Sequence, residues 1–419
     1  MAGGVKFDAD IAEPDFLAIG DRLDAAGEIL AIAQPHHVER FLRRQHRAMA
    51  STRVVGMAMG DQGPLDGPDR VDMEATRLAA ETGGSWQQEV LRTHFCHIGS
   101  AQHFTSLQPV PMPAPLFLSS GDLIADRRFE FARDLQLGGD LPAAADLLEQ
   151  AIELAPNFST AWFALGEIRQ ELGDTEKAIA AFRRARDADP QDRHGAAVWL
   201  MRLGAEEIST MPRGYVQALF DQYAPRFEDA LLGDLNYRAP QLLFKAVVAV
   251  RVAERKPAFF KRAIDLGCGT GLGAAEFAKQ VDSFIGIDLS PGMVEEARAT
   301  GLYDELEVDD MVAGLGSKVD ASADLVLAAD AFCYVPELLP VVSEIQRVLA
   351  PGGLVAFTVE THDGDGVVIG EGLRYAHAAE YLRKTIAAAD LKLAQLEQAS
   401  PRIEDNEPVR GLVVVATKT

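Results

Sequence analysis

Three glycines and two acids are closely spaced in the middle of the chain. Gly267, Gly269 and Gly271 follow a short apolar run, and Asp265 stands two residues before the first of them. Glycine lets a backbone turn tightly and approach a ligand with no Cβ in between, and the amides of a helix that starts at Gly271 would point at that ligand. Asp288 ends the next apolar run, where an acid can accept hydrogen bonds from two ribose hydroxyls. The spacing therefore predicts a nucleotide-type cofactor site.

The spacing of the glycines separates two kinds of cofactor. NAD-binding turns have the pattern G-x-G-x-x-G, whereas here the pattern is G-x-G-x-G behind Asp265. An acid at that place is unfavourable beside a pyrophosphate but suits a cofactor with a cationic amino-acid part. The stretch Asp265-Leu-Gly-Cys-Gly-Thr-Gly271 closely resembles motif I of class I S-adenosylmethionine-dependent methyltransferases. An NAD-dependent oxidoreductase is therefore disfavoured.

Further segments resemble the same family in the family's order. Asp288-Leu-Ser-Pro-Gly-Met293 resembles the motif after the second strand, and Leu349-Ala-Pro-Gly-Gly353 resembles the turn before the fifth. The resemblance implies S-adenosylmethionine as cofactor and S-adenosylhomocysteine as product. It implies that Asp288 binds ribose and that Met293 packs on adenine. An acid near the adenine amino group is also implied, with Asp310 and its neighbour Asp309 both possible. The cofactor-binding residues expected from the resemblance are Asp265, Gly267, Cys268, Gly269, Gly271, Asp288, Leu289, Met293, Asp310, Met311 and Asp330.

An aromatic segment precedes the first strand. Phe220, Tyr223 and Phe227 fall on one face of a predicted helix. One interpretation places all three rings in the core. The other makes Tyr223 a further cofactor-binding residue on a lid, because an aromatic ring beside a sulfonium gains cation–π attraction.

Four residues after the fourth and fifth strands are candidates for the acceptor side. Methyl transfer from a sulfonium is an in-line displacement, so the protein mainly holds the two reactants at attack distance. His377 titrates near neutrality, and it is the catalytic candidate together with Tyr334; a structural histidine is the alternative. Arg374 and Tyr375 are substrate-binding candidates, because a guanidinium can anchor a carboxylate or phosphate. A surface ion pair is the alternative for Arg374.

The segments that must position these residues alternate between strand and helix from Arg262 onward. Such alternation predicts an α/β fold with a doubly wound, mainly parallel sheet, and the resemblance implies the seven-stranded, Rossmann-like class I methyltransferase fold. Ligands of such sheets bind at the carboxyl ends of the strands. The predicted strands are 263–266, 283–287, 306–308, 324–328, 354–359, 391–397 and 411–417, and the predicted helices are 272–281, 292–300, 338–349 and 378–390.

A repeat with a period of 34 residues lies upstream of the sheet. Gly139-Asp140 recurs as Gly173-Asp174, and Pro156 recurs as Pro190. The pattern resembles the tetratricopeptide repeat (TPR), in which each copy forms two helices. Residues 112–419 together resemble bacterial methyltransferases with TPR repeats fused at the N-terminal side. The second copy carries Trp162, Leu165, Gly166, Gly173, Ala178, Phe182, Ala185 and Pro190.

Composition and charge argue against two classes of binding partner and indicate a cellular compartment. The chain has 419 residues, a net charge of −23 and three cysteines, which predicts a protein of the reducing cytoplasm with no disulfide framework. Such a surface repels nucleic acid and anionic membranes, and we expect neither as a partner. Asp330-Ala-Phe-Cys also lacks the Asn/Asp-Pro-Pro-aromatic signature of enzymes that methylate DNA bases.

The predicted domains are a region of unknown role at 1–111, a TPR module at 112–208 and a methyltransferase domain at 209–419. We expect the first region to be helical or partly disordered. His94-Phe-Cys-His97 and His103 there resemble metal ligands only superficially, since their spacing does not match paired zinc modules, so no metal is expected.

Two functions remain open from the sequence. The first is an enzyme that methylates a small molecule or a protein, with the TPR module recruiting the acceptor. The second is a TPR-based scaffold whose methyltransferase fold binds the cofactor but is catalytically weak. The intact glycine turn and Asp288 favour the enzyme.

Overall fold

The computed structural model describes residues 116–227, 236–370, 372–404 and 406–419. The region predicted at 1–111, with its histidines and Cys96, lies outside the described residues.

Five helices form the repeat region. Gly166 in the third approaches the ring of Phe182 in the fourth so closely that a Cβ would lie 2.6 Å from a ring carbon. Asp140 caps the second helix by accepting a hydrogen bond from the Ala143 amide at 3.2 Å. The helices therefore pack as two antiparallel pairs followed by a capping helix, as the repeat predicts. They are α1 (Leu123–Leu137), α2 (Leu141–Leu154), α3 (Ser159–Glu171), α4 (Thr175–Ala188) and α5 (Ala196–Arg202).

A mostly parallel sheet forms the second half of the described chain. Its strands are β1 (Phe260–Leu266), β2 (Val281–Asp288), β3 (Glu305–Val308), β4 (Ala323–Ala328), β5 (Leu349–Glu360), β6 (Val367–Ile369), β7 (Tyr375–His377), β8 (Leu391–Ala399) and β11 (Gly411–Lys418), beside a separate hairpin of β9 (Ile403–Glu404) and β10 (Glu407–Pro408). The main path runs β3-β2-β1-β4-β5-β11-β8, with β11 antiparallel to both neighbours. Short β6 and β7 extend from the end of β5. This is the predicted doubly wound, seven-stranded arrangement.

Helices cover both faces of the sheet. Their bounds are α6 (Arg213–Tyr223), α7 (Ala239–Ala253), α8 (Leu272–Phe277), α9 (Pro291–Thr300), α10 (Met311–Gly316), α11 (Leu339–Val348) and α12 (Ala379–Ala388), with 3-10 turns at Ala224–Arg226 and Phe332–Tyr334. One core cluster joins α10, α11 and α12 to the sheet, and another joins α7 and α8 to its opposite face. The sheet is thus buried on both sides, and only its ends can receive a ligand.

Two predictions of local structure need correction. The helix predicted at 272–281 ends at Phe277, because Val281 already pairs with Phe260 as the first residue of β2. No strand is predicted between residues 359 and 391, yet His377 ends β7, whose backbone pairs with β5 and β6. Among the described helices, none combines the length and apolar character that crossing a membrane would require.

The repeat helices contact the sheet region through an apolar cluster. Val198 and Met201 of α5 pack with Met211 and Tyr375. The Tyr375 hydroxyl donates a hydrogen bond to the Ser209 carbonyl. The arm formed by β6 and β7 is therefore attached to the end of the repeat module.

Candidate active site

The glycine turn connects the carboxyl end of β1 to α8. Gly267, Gly269 and Gly271 have φ angles of 61°, 52° and 101°, a region that side chains with a Cβ rarely adopt. A Cβ on Gly267 would lie 2.6 Å from the Ala331 Cβ, so this glycine is required by packing. A Cβ on Gly269 would meet only the ring of Phe227, at 3.6 Å. The turn thus keeps one side free of side chains.

Asp288 ties the end of β2 to this turn. Its Oδ2 accepts a hydrogen bond from the Gly269 amide at 2.9 Å, and its Oδ1 accepts one from the Ser290 amide at 2.9 Å. Burial raises the pKa of the Asp288 carboxyl, against these backbone hydrogen bonds. The carboxylate therefore lies beside the glycine turn at the carboxyl edge of the sheet, where its remaining lone pairs can accept ligand hydroxyls.

Asp221 is a site residue that the sequence did not reveal. Its Oδ1 accepts hydrogen bonds from the Ser290 hydroxyl at 2.5 Å and from the Gly292 amide at 3.1 Å. These bonds join α6 to the first turn of α9. In the sequence, the signal for this residue is an acid within the aromatic helix segment, two residues before Tyr223.

Asp265 holds the base of the turn. Its carboxylate is 1% exposed and accepts a hydrogen bond from the Tyr303 hydroxyl at 2.8 Å and another from the Ala274 amide in α8. Burial raises its pKa to about 7, and the nearby Asp288 adds to the increase. The side chain faces α8 and Tyr303, so its visible role is to fix the turn; direct contact with a cofactor stays a prediction.

The other predicted cofactor residues lie around the same edge. Met311 reaches the turn, since its Cε lies 3.3 Å from a Cβ placed on Gly267. Met293 is fully buried, whereas Leu289 is half-buried. Asp310 is exposed and caps α10 by accepting a hydrogen bond from the Val312 amide at 2.9 Å. Their contacts with a cofactor stay predictions.

Cys268 is buried inside the turn, and burial raises the pKa of its thiol well above the usual range. A neutral, enclosed thiol acts as a packing group and is a poor nucleophile.

Of the three aromatic rings in the segment before β1, Phe227 is the one that contacts the glycine turn, 3.6 Å from where a Cβ on Gly269 would lie. Phe227 packs near Phe220, with ring centroids 6.3 Å apart, and Phe220 packs edge-on against Tyr334 at 5.1 Å. Tyr223 interacts electrostatically with Arg374 and Glu404, and burial raises its phenol pKa. Phe227 thus faces the predicted methyl-donor side, whereas Tyr223 lies toward the strands that follow.

A buried group of charges occupies the carboxyl ends of β4 and β5. We call Asp330, Glu360, Glu404, Arg374 and Arg402 the acceptor-side cluster. The Nη1 of Arg402 contacts both carboxylate oxygens of Asp330, its Nη2 binds Glu360, and its Nε donates to Glu404 at 2.7 Å. Arg374 also forms ion pairs with two of these carboxylates: its Nε binds Glu360 and its Nη2 binds Glu404. Two guanidiniums thus bridge three carboxylates that come from separate parts of the chain.

Asp330 and Arg374 therefore form ion pairs within the cluster that the sequence did not indicate. The Asp330 carboxylate is paired with Arg402, and its backbone has a φ of 57°, which is unusual for a residue other than glycine. Arg374 is a half-buried residue whose guanidinium pairs with Glu360 and Glu404, in place of the surface ion pair considered as its alternative. Cofactor contact by Asp330 and substrate contact by Arg374 remain predictions.

His377 and Tyr375 are both buried in the arm. The His377 ring is fully buried, and its Nε2 lies 2.9 Å from the Val335 carbonyl. Burial lowers its pKa to about 4, so the imidazole is neutral near pH 7 instead of titrating there as expected. The Tyr375 hydroxyl is bound to Ser209. These surroundings favour the structural alternative for His377. Tyr334 lies at the edge of the acceptor-side cluster, where it interacts electrostatically with Arg374 and Arg402.

Comparison with known families agrees with this geometry. Residues 264–357, from β1 to β5, match the family profile described as a methyltransferase domain. The chain contains a class I methyltransferase domain. Residues 129–193 match a tetratricopeptide repeat profile, so the repeat helices are a TPR region.

Similar proteins are methyltransferases by name. The chain is 33% identical over 164 residues to human Methyltransferase-like protein 27, which covers 38% of this chain and 61% of that protein. The ubiquinone biosynthesis O-methyltransferase of Xylella fastidiosa is 30% identical over 147 residues, covering 34% and 58%. The chain thus spans about 60% of the length of these relatives.

One of the solved structures that match the chain is a Burkholderia thailandensis N1-methyltransferase in complex with 1,6-didemethyltoxoflavin and S-adenosylhomocysteine. It has 17% identity and a TM-score of 0.39, and the match covers 51% of this chain and 93% of that one.

The residues around the methyltransferase domain's glycine turn fit S-adenosylmethionine. The Thr270 hydroxyl in the turn is buried and has no hydrogen-bond partner within the described part of the chain. The free side of Gly269 faces an aromatic ring, and Asp288 lies beside it. The Thr270 hydroxyl without a partner, the glycine turn at Gly269 and the Asp288 carboxylate at the end of β2 are groups to which the amino-acid and nucleoside parts of this cofactor could bind.

Proposed function

We propose that this protein transfers a methyl group from S-adenosylmethionine to a small-molecule or protein acceptor by in-line displacement. The observation that carries the proposal is the pairing of Asp288 with the Gly269 amide, which holds the acid of β2 against an open glycine turn. The bound cofactor would supply an electrophilic methyl group on a sulfonium. The protein itself mainly has to orient the two reactants.

The cofactor-side residues have separate tasks in this proposal. Asp288 accepts the ribose hydroxyls, and Thr270 supplies its free hydroxyl to the amino-acid part. Phe227 covers the turn and favours a cationic group through its ring face. Asp221 holds α6, and with it this aromatic segment, against α9. Together these contacts exclude water from one side of the methyl group.

The TPR module is proposed to recruit or orient the acceptor. This role is supported by the contact of α5 with the arm that carries Tyr375, because the arm leads directly into the acceptor-side cluster. The proposed boundary near residue 208 falls in the non-helical connection between α5 and α6. Relatives named O-methyltransferases make an oxygen atom one candidate acceptor.

The second candidate function is a TPR-based scaffold with a catalytically weak domain. It is favoured by the extent to which the acceptor-side charges are already paired with one another. The two functions share cofactor binding and differ in turnover.

Two measurements test the proposal. Calorimetric titration should detect binding of S-adenosylmethionine and S-adenosylhomocysteine but not of NAD. Incubation with tritium-labelled cofactor and fractionated cell extract should then label an acceptor. Binding without labelled product in any fraction would favour the scaffold, and failure to bind the cofactor would contradict both functions.

A further inference from the structure

The acceptor-side cluster carries one negative charge more than it can neutralise. It contains three carboxylates, Asp330, Glu360 and Glu404, but only the guanidiniums of Arg374 and Arg402. Arg402 and Glu360 are buried, so their ion pair at the centre of the cluster is removed from water, whereas Asp330, Arg374 and Glu404 are half-buried. A buried excess charge is costly unless a partner of opposite sign is available.

The surrounding titratable groups do not supply that partner. Burial raises the phenol pKa values of Tyr223 and Tyr237, which keeps both neutral near pH 7. Burial likewise lowers the pKa of His377 to about 4, which leaves its ring uncharged. Neither the two phenols nor the imidazole therefore adds a positive charge to the cluster.

One oxygen of Glu360 identifies where a ligand would bind. Glu360 ends β5 and is 9% exposed. Its Oε1 accepts from both guanidiniums, while its Oε2 has no hydrogen-bond donor in the parts of the chain described. Oε2 lies 3.8 Å from where a Cβ on Gly370 would be, so the glycine leaves room beside it. An unpaired carboxylate oxygen in a cluster with excess negative charge is suited to a cationic donor.

Glu360 is also at the right edge of the sheet. In the order β1-β4-β5 its strand lies two positions from the strand that leads into the glycine turn. Neighbouring strands are about 4.8 Å apart, so β1 and β5 are separated by roughly 10 Å. A cofactor in the turn and an acceptor at Glu360 can therefore meet above β4.

We propose that Glu360 is the acceptor-binding residue and that the acceptor is an amine, which enters as an ammonium ion and binds to Oε2. This inference rests on the proposed methyltransferase function. Arg374 and Arg402 are positioning residues, because they hold Oε1 and thereby orient Oε2.

The proposed step balances without another reactant. The ammonium gives one proton to Glu360 Oε2, which leaves a neutral amine with a free lone pair. That lone pair forms the new N–C bond to the methyl carbon, the C–S bond breaks, and its electron pair returns to sulfur. The positive charge passes from sulfur to nitrogen, and Glu360 releases its proton to water.

The atom that receives the methyl group tests the inference in the wild-type protein. We would incubate the full chain with S-adenosylmethionine carrying a CD3 group and a pooled metabolite and peptide extract, and locate the label by mass spectrometry. Label on amine nitrogen is expected. Label on a phenolic or carboxylate oxygen would overturn the amine inference but leave the proposed function intact. No labelled product would count against both.

A matched pair of variants tests the residue. Glu360→Gln should lower the rate of label transfer by about 100-fold, because a neutral amide cannot pair with the ammonium. Glu397→Gln changes an exposed residue of β8 and should leave the rate of label transfer unchanged. The ratio of affinities for S-adenosylmethionine and S-adenosylhomocysteine should stay within about threefold in both variants, a difference below 1 kcal/mol. If Glu360→Gln weakens the binding of S-adenosylmethionine but not that of S-adenosylhomocysteine, the charge of Glu360 acts on the sulfonium and the inference is wrong.

Discussion

The cofactor side and the acceptor side of this protein are built from different kinds of contact. On the cofactor side, Asp288 and Asp221 accept hydrogen bonds mostly from backbone amides that follow β1 and β2. On the acceptor side, Arg374 and Arg402 connect carboxylates by side-chain ion pairs. Backbone contacts can hold a constant cofactor, whereas side-chain charges can vary with the acceptor. The difference suggests that substrate choice is encoded in the cluster.

The largest expected effect is on the acceptor side. Arg402→Met would leave three carboxylates with only Arg374 for compensation; Glu360 is buried, and Asp330 and Glu404 are half-buried. Breaking a buried ion pair in this way costs about 3–5 kcal/mol of unfolding free energy. Arg410→Met is the control, because its pair with Asp363 is exposed and exposed pairs contribute little to stability. Urea denaturation of both variants measures the difference; equal losses would mean that the cluster is not specially stabilising.

The two sides also differed in how well they could be predicted. Gly269 and Asp288 are 19 residues apart and belong to one strand–turn–helix–strand unit, so the sequence pattern predicted their neighbourhood. Arg402 is 72 residues from Asp330 and 42 from Glu360. No sequence periodicity relates these positions. Arg402 follows β8, and it reaches Asp330 and Glu360 only once the sheet is assembled.

The fold itself was largely predictable, and its small departures have local causes. The alternation of apolar runs identified the strands of the main path, while β6 and β7 were missed because three-residue strands have no detectable period. Helical spacing puts Tyr223 and Phe227 on one face, so the spacing alone does not indicate which ring lies beside the glycine turn. Only the position of the glycine turn relative to that helix distinguishes them.

The pH dependence of stability is the next largest effect, and it belongs to the cofactor side. The Asp265 carboxyl has a pKa of about 7 in the folded protein and 3.8 as its ordinary value. Between these values the folded chain holds one more proton than the unfolded chain, so the free energy of unfolding falls as pH rises. The group can contribute a decrease of up to about 4 kcal/mol, at 1.4 kcal/mol per pKa unit.

Asp265→Asn should remove this slope between pH 4 and about 7, as measured by denaturation across that range. Asp320→Asn, on an exposed acid, is the matched control. An unchanged slope in Asp265→Asn would mean that the carboxyl is charged in the folded protein and that the Tyr303 and Ala274 hydrogen bonds outweigh burial.

Asp288→Ala should have a smaller effect on stability than on binding. Removing the carboxylate loses the proposed ribose contact, and hydrogen bonds to a charged group contribute about 1.5–3 kcal/mol. We expect the affinity for S-adenosylmethionine to fall by about 100-fold in calorimetric titration. The apo protein should also lose about 1–2 kcal/mol of stability, since Gly269 and Ser290 lose their acceptor. Retained affinity would show that the ribose binds elsewhere.

The smallest expected effect concerns the attachment of α6. Asp221→Ala removes one acceptor shared by Ser290 and Gly292, and each neutral-donor hydrogen bond contributes about 1 kcal/mol. Because the lost bonds hold the aromatic segment near the turn without touching the cofactor, affinity for S-adenosylmethionine should fall only about threefold to tenfold. Asp221→Asn keeps an acceptor oxygen at the same place and should restore most of that affinity. A loss as large in Asp221→Asn as in Asp221→Ala would mean that the charge of Asp221 acts on the cofactor directly, and the cofactor side would then share the electrostatic character of the acceptor side.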